Sequence, residues 1–153
     1  MLEEHTKYVL NVEELERVKL DTTYGRTSYF KNSGRFGVSE KNITALEDEA
    51  KKLATRIGIA KEGEKVLVLG HGENIYIPSR VASYMKADYR TTTRSPIYCD
   101  GKIIKSKHGF IDRDVTYFLY NKDEIKKEYD RIVLLTETDL DIKMFDNIEI
   151  YKI

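Results

Sequence analysis

The chain has 153 residues, 41% of them hydrophobic, with 26 Lys and Arg against 26 Asp and Glu, three His, one Cys and no Trp. A chain of this length buries roughly two-thirds of the surface its unfolded form exposes, enough for one core and not two, and zero formal charge excludes capture of nucleic acid or a membrane by bulk electrostatics. Cys99 alone excludes an intramolecular disulfide, the start MLEEHTKYVL is no secretory signal, and the longest strictly apolar run, Val66 to Leu69, falls far short of the roughly 20 residues of a membrane span, so a cytoplasmic protein is expected.

Residues 1–38 read as an N-terminal arm. Asn11 to Lys19 has the spacing for two helical turns, and Thr22 to Gly37 is polar and aromatic, with one short strand expected at Thr27 to Phe30. Its Tyr24, Tyr29, Phe30 and Phe36 need apolar cover, either on the core of this chain or at an interface.

Residues 39–153 read as a single α/β domain. Ile43, Leu46, Ala50, Leu53, Ala54 and Ile57 recur at helical spacing, with Ser39 or Asn42 as a cap and Gly58 at the left-handed C-terminal position. Val66 to Leu69, bounded by glycines, is a buried strand. Pro78 suits the first position of a helix that turns Val81, Ala82 and Met85 inward. Ala87 to Thr93 is a strand that Pro96 terminates. Asp100-Gly101, between Ile97-Tyr-Cys99 and Lys102-Ile-Ile104, predicts a hairpin. His108-Gly109 reads as a loop, and Lys102, Lys105 and Lys107 as a solvated edge. Val115 to Tyr120, a short helix over Asp123 to Tyr129, and strands at Arg131 to Leu135 and Ile148 to Tyr151 complete the chain. This order predicts a three-layer, Rossmann-like domain with a mainly parallel sheet and a β-hairpin insertion. Ligands of such sheets sit beyond the carboxyl ends of the strands.

Three loops leave those ends. Gly70-His71-Gly72-Glu73-Asn74 has glycines that let the backbone approach a phosphate at a helix N-terminus, although an ordinary tight loop with a surface His71 reads the same way. Thr92, Thr93, Arg94 and Ser95 combine a planar guanidinium with hydroxyl donors, the makings of an oxyanion clamp, and Pro96 stiffens its exit. Glu137 and Asp139 follow a strand beside Thr136 and Thr138, where they suit Mg²⁺ or ribose hydroxyls, or cap a helix. Spacing assembles no catalytic triad from Cys99 and the histidines. No catalytic residue is assigned and no cofactor is required by the sequence.

Thr93-Arg-Ser-Pro96, preceded by Lys65-Val-Leu-Val-Leu-Gly70 and Pro78-Ser-Arg80, resembles the signature of the TRSP domain. Arg35-Phe-Gly37, Phe118-Leu-Tyr-Asn121 and Tyr129-Asp-Arg-Ile-Val133 resemble its other blocks, in order, from about residue 35 to the end. The resemblance implies a bacterial domain joined to the C-terminal side of a phosphoribosyltransferase-type domain, in gene neighbourhoods linked to tellurium resistance and stress. It implies an accessory or catalytic role on a phosphorylated ribose or nucleotide-like ligand, or else an interaction module docking to the transferase. The order of elements is similar to that of type I phosphoribosyltransferases. Thr136-Glu-Thr-Asp-Leu140 departs from their ribose-phosphate loop, having no adjacent acids and no glycine, so full transferase activity is not expected.

Overall fold

The computed structural model describes residues 40–72, 74–140 and 144–153. The arm expected over residues 1–38, the Ser39 cap, Glu73 and Asp141 lie outside the described residues.

Helix α1 (Glu40–Ile57) follows its apolar stripe. Ala50, Leu53, Ala54 and Ile57 are buried, whereas Ile43, one end of that stripe, is 41% exposed. Asn42 lies inside the helix and is therefore not its cap. Gly58 (φ +96°) closes it as expected, donating its N–H to Ala54 O at 2.9 Å. Strand β1 (Val66–Gly70) is buried throughout, and α2 (Tyr76–Met85) follows. Pro78 is third in α2 rather than first, which removes no hydrogen bond because the first four N–H groups of a helix have no partner within it. Glu47 fastens α1 to α2, accepting from Tyr76 Oη (3.0 Å) and Tyr84 Oη (2.6 Å). Strand β2 (Asp88–Thr91) is shorter than its predicted run.

The hairpin lies downstream of its predicted position. Asp100 Oδ1 accepts the backbone N–H groups of Lys102, Ile103 and Ile104, each at 2.9 Å, so this side chain closes a compact turn in place of a strand ladder. The ladder forms instead between β3 (Lys107–Asp112) and β4 (Val115–Tyr120). His108 and Gly109 are therefore strand residues. The turn between them is Arg113-Asp114, both at positive φ (48° and 64°), the backbone that a two-residue hairpin requires. No glycine marks it, which is why the sequence hides it.

The short helix α3 (Lys122–Glu128) leads to the central strand β5 (Arg131–Thr136), and β6 (Ile148–Lys152) ends the fold. The main sheet has the order β2-β1-β5-β6, with every pair parallel. Its direction of growth reverses between β1 and β5, the place where open α/β sheets receive their ligands. Helices α1 and α2 cover one face through Val66, Val68, Val133 and Leu135. The opposite face, Leu67, Leu69, Ile132 and Leu134, is covered by the hairpin, α3 and the side chains of Leu140, Met144 and Phe145. Three layers are present as expected, with a hairpin and a short helix as the third. Among the described residues no helix is long and apolar enough to cross a membrane.

Because the hairpin layer seals Leu134 completely, Leu134→Ala leaves a cavity and lowers stability by about 2–5 kcal/mol. Urea denaturation measures this. A loss below about 1 kcal/mol would mean that the hairpin does not close this face.

Candidate functional site at the carboxyl edge of the sheet

The first loop is shaped by close packing at Gly70. A Cβ there would meet Asn74 O and Tyr89 Oη, each at 2.9 Å, and the first is a backbone atom that cannot step aside. The next N–H groups serve the fold: His71 N–H donates to Leu135 O at 3.0 Å, extending the β1–β5 ladder, and Gly72 N–H donates to Thr92 Oγ1 at 3.1 Å. The two glycines thus allow tight backbone packing rather than presenting those N–H groups outward.

His71 is buried, only 3% exposed, and not the surface residue of an ordinary loop. Its ring packs against Tyr117 (4.5 Å between centroids) and Phe110 (5.7 Å). Its two nitrogens reach Thr92 Oγ1 (Nδ1, 3.0 Å) and Asp112 Oδ2 (Nε2, 3.1 Å). The proton positions follow from donor counting. The Asp112 carboxylate can only accept, so the proton of the neutral ring sits on Nε2 and is donated to it, and Nδ1 is left to accept from the Thr92 hydroxyl. Burial pushes the His71 pKa down, and the Asp112 carboxylate offsets part of that shift.

Asn74, just before α2, is 2% exposed and among the described residues neither of its side-chain amide atoms has a hydrogen-bond partner. Tyr89 Oη, which approaches Gly70 from the neighbouring strand, is likewise buried, and among the described residues only the adjacent Thr91 hydroxyl is near enough to act on it. Burial raises the Tyr89 pKa and the adjacent Thr91 hydroxyl lowers it in part. The start of α2 has no side-chain cap. Unsatisfied polar atoms of this kind are rare inside proteins, and these belong to residues that both pack on Gly70, Asn74 through its backbone O and Tyr89 through Oη.

The second loop divides its residues. Thr92 turns inward to His71. Thr93 joins the hairpin sheet by a bridge to Phe118, and its Oγ1 accepts from Ser95 N–H at 3.1 Å. Arg94 and Ser95 are exposed on the bend that follows. The expected clamp is therefore drawn apart, with one hydroxyl in the buried network and another closing its own turn.

In the third loop, Thr136 and Thr138 are buried and bonded to each other, Oγ1 to Oγ1 at 2.9 Å. Glu137 is half-buried. Asp139 is exposed and held by Lys152 of β6, whose ammonium, with help from Arg113 at the hairpin tip, lowers its pKa. That pairing does not suit Mg²⁺, and among the described residues no group of three or more His, Cys, Asp or Glu is placed to hold a metal ion.

The family model described as "TRSP domain C terminus to PRTase_2" matches residues 32–149. The chain belongs to the TRSP domain family. No curated protein matches it. The TRSP tetrapeptide thus has a structural setting: Thr93 crosses from the main sheet to the hairpin sheet, and Arg94 to Pro96 form the bend that follows. Sequence reading passed over Asp112, Tyr89 and Arg113. The signal for Asp112 was a carboxylate two residues after Phe110, on the inward-facing alternation of a strand.

Two outcomes follow from the buried network. Thr92→Val keeps the shape but leaves His71 Nδ1 and Gly72 N–H without partners, lowering stability by about 1–3 kcal/mol for each group left unsatisfied. For pH, the unfolded chain protonates His71 near the ordinary value of about 6.5 while the folded protein resists it. The contribution is complete above that value and declines as pH falls toward the lower folded pKa. Melting temperatures of the wild type should therefore drop more steeply below pH 6.5 than those of His71→Gln. Parallel profiles would show that His71 does not carry the titration.

Proposed function

We propose that this TRSP domain binds a phosphorylated ribose or nucleotide-like ligand at the carboxyl edge beside β1 and α2, and that it works with a phosphoribosyltransferase domain. The family description, which sets the domain C-terminal to such a domain, supports the association. The observation that carries the ligand reading is the unpartnered amide of Asn74 at the uncapped start of α2. Its Nδ2 donates to a phosphate oxygen and its Oδ1 accepts from a hydroxyl, and a helix N-terminus favours the same anion. Tyr89 Oη adds a third polar atom, and Glu137 stands at the end of β5 for ribose hydroxyls.

Independent transferase chemistry is not part of this reading. The loop after β5 has the mutually bonded Thr136 and Thr138 in place of adjacent acids and a glycine. Chemistry then belongs to the partner, in a pathway that the family resemblance ties to tellurium resistance and stress.

Calorimetric titration with phosphoribosyl pyrophosphate, with and without Mg²⁺, tests the site. Saturable binding should weaken by about 1–3 kcal/mol in Asn74→Ala, the scale of a buried hydrogen bond. Arg94→Ala probes the clamp separately, with a loss of roughly 1.5–3 kcal/mol if the guanidinium holds the phosphate. Unchanged affinity in Asn74→Ala would remove the α2 site, and no binding by the wild type would remove the ligand reading and leave a docking module.

A further inference from the structure

We infer that the loop launched by the TRSP tetrapeptide, residues 97–104, is the docking element for the transferase domain, presenting Tyr98 and Ile103 as its anchors. The inference rests on the association proposed above and names the surface that carries it.

Exposure marks the loop first. Tyr98 is 86% exposed, Ile103 76% and Ile97 47%, three large apolar side chains within seven residues. Single exposed apolar residues are ordinary, whereas a cluster of them marks an interaction site.

Rigidity is the second observation. Loops that expose apolar side chains through mere slackness are poorly fastened, and this one is held at three points. Asp100 Oδ1 takes the N–H groups of residues 102, 103 and 104, and those bonds, Lys102 first, hold the carboxyl below its ordinary pKa. Asn121, at φ +55° before α3, donates from Nδ2 to Ile103 O at 2.7 Å and accepts from Lys105 N–H at 2.7 Å. Tyr120 Oη accepts from Ile97 N–H at 2.6 Å and donates to Ser95 O at 3.3 Å. A loop ordered before contact loses little entropy on binding, and an aromatic anchor on such a loop is the usual form of an interface hot spot.

Shape and charge describe the receiving face. Beside the loop, a cleft of about 380 Å³ is lined by Arg90, Ile104, Leu119 and Asn121 among others, room for a side chain of the partner. Residues 90–108 carry five cations (Arg90, Arg94, Lys102, Lys105, Lys107) against one carboxylate, Asp100; Arg90 and Lys105 are paired with Glu128 and Glu124 of α3, so the positive character of the loop face rests on Lys102 and Lys107. The Asp100 carboxylate is already committed to backbone N–H groups. The matching surface is therefore acidic with an apolar centre, and association with it should weaken as salt rises.

The test uses the full chain and a purified phosphoribosyltransferase domain of the PRTase_2 kind, with affinity measured by biolayer interferometry. Tyr98→Ser with Ile103→Ser should raise Kd on the order of 100-fold without moving the melting temperature, since both side chains lie in solvent. Asp100→Ala keeps both anchors but frees three N–H groups, and should weaken binding about tenfold through lost order. Ile59→Ser, a comparably exposed residue (57%) near the end of α1, should change nothing. If the wild type binds the transferase and the double variant binds equally well, this surface is wrong while the association stands. If the wild type does not bind, the association itself fails. Loss in the double variant of a homodimer, or of oligonucleotide binding, without any transferase complex would assign the loop to another occupant and overturn the inference.

Discussion

The fold turns on the imidazole of His71. Three parts of the chain that have no reason to meet by local preference are joined there: the end of β1 by main chain, the continuation of β2 by Thr92, and the hairpin by Asp112. Asp112 is 8% exposed, and a carboxylate at that depth is tolerated when it is hydrogen-bonded. The neutral ring with its proton on Nε2 supplies that bond, the carboxylate thereby fixes the tautomer, and the Thr92 hydroxyl satisfies Nδ1 on the other side. Removing any one member leaves a polar group unpaired in a site walled by Phe110 and Tyr117.

The same network sets the register of the outer layer. A slip of one residue in β3 would turn Asp112 outward and Ile111 inward, exchanging a satisfied carboxylate for an aliphatic group with no place in the polar site. Alternation alone would permit a hairpin of this composition to lie on the sheet in more than one way. The bond to His71 selects one, and so sets where Arg113 comes to stand beside Asp139 at the carboxyl edge.

The parts of the structure legible in the sequence are those set by local pattern. The stripe from Ala50 to Ile57, the apolar run at β1, the strand at Val115 and the central strand from Arg131 all announce themselves by period and composition. The hairpin was misplaced because Asp100-Gly101 carries the local signal of a turn while the true turn, Arg113-Asp114, carries none. There, burial of Phe110, Tyr117 and Leu119 against the sheet outweighs the strain of two side chains at positive φ. Gly70, His71, Gly72, Asn74 and Thr92 were legible as residues that matter, and their arrangement was not. Spacing shows that a loop is tight; it does not show that its N–H groups point inward, or that a histidine next to a glycine is buried by a hairpin forty residues away.

Thr92 is where these two kinds of information meet. Up to Thr91 the chain is an edge strand of the parallel sheet, and from Thr93 it belongs to the hairpin sheet. One residue therefore faces the buried network while its neighbours along the chain form the exposed bend and the fastened loop beyond it. This accounts for a polar TRSP signature whose residues divide between a bridge to Phe118 and an exposed bend. Its threonine anchors a crossing between sheets, its arginine and serine form the bend, and its proline stiffens the exit toward a loop whose order depends on Tyr120, Asn121 and Asp100. Such a segment connects a buried site to a surface: Thr92 ties its start to His71, and Tyr120, Asn121 and Asp100 fasten the loop beyond it with Tyr98 and Ile103 in solvent.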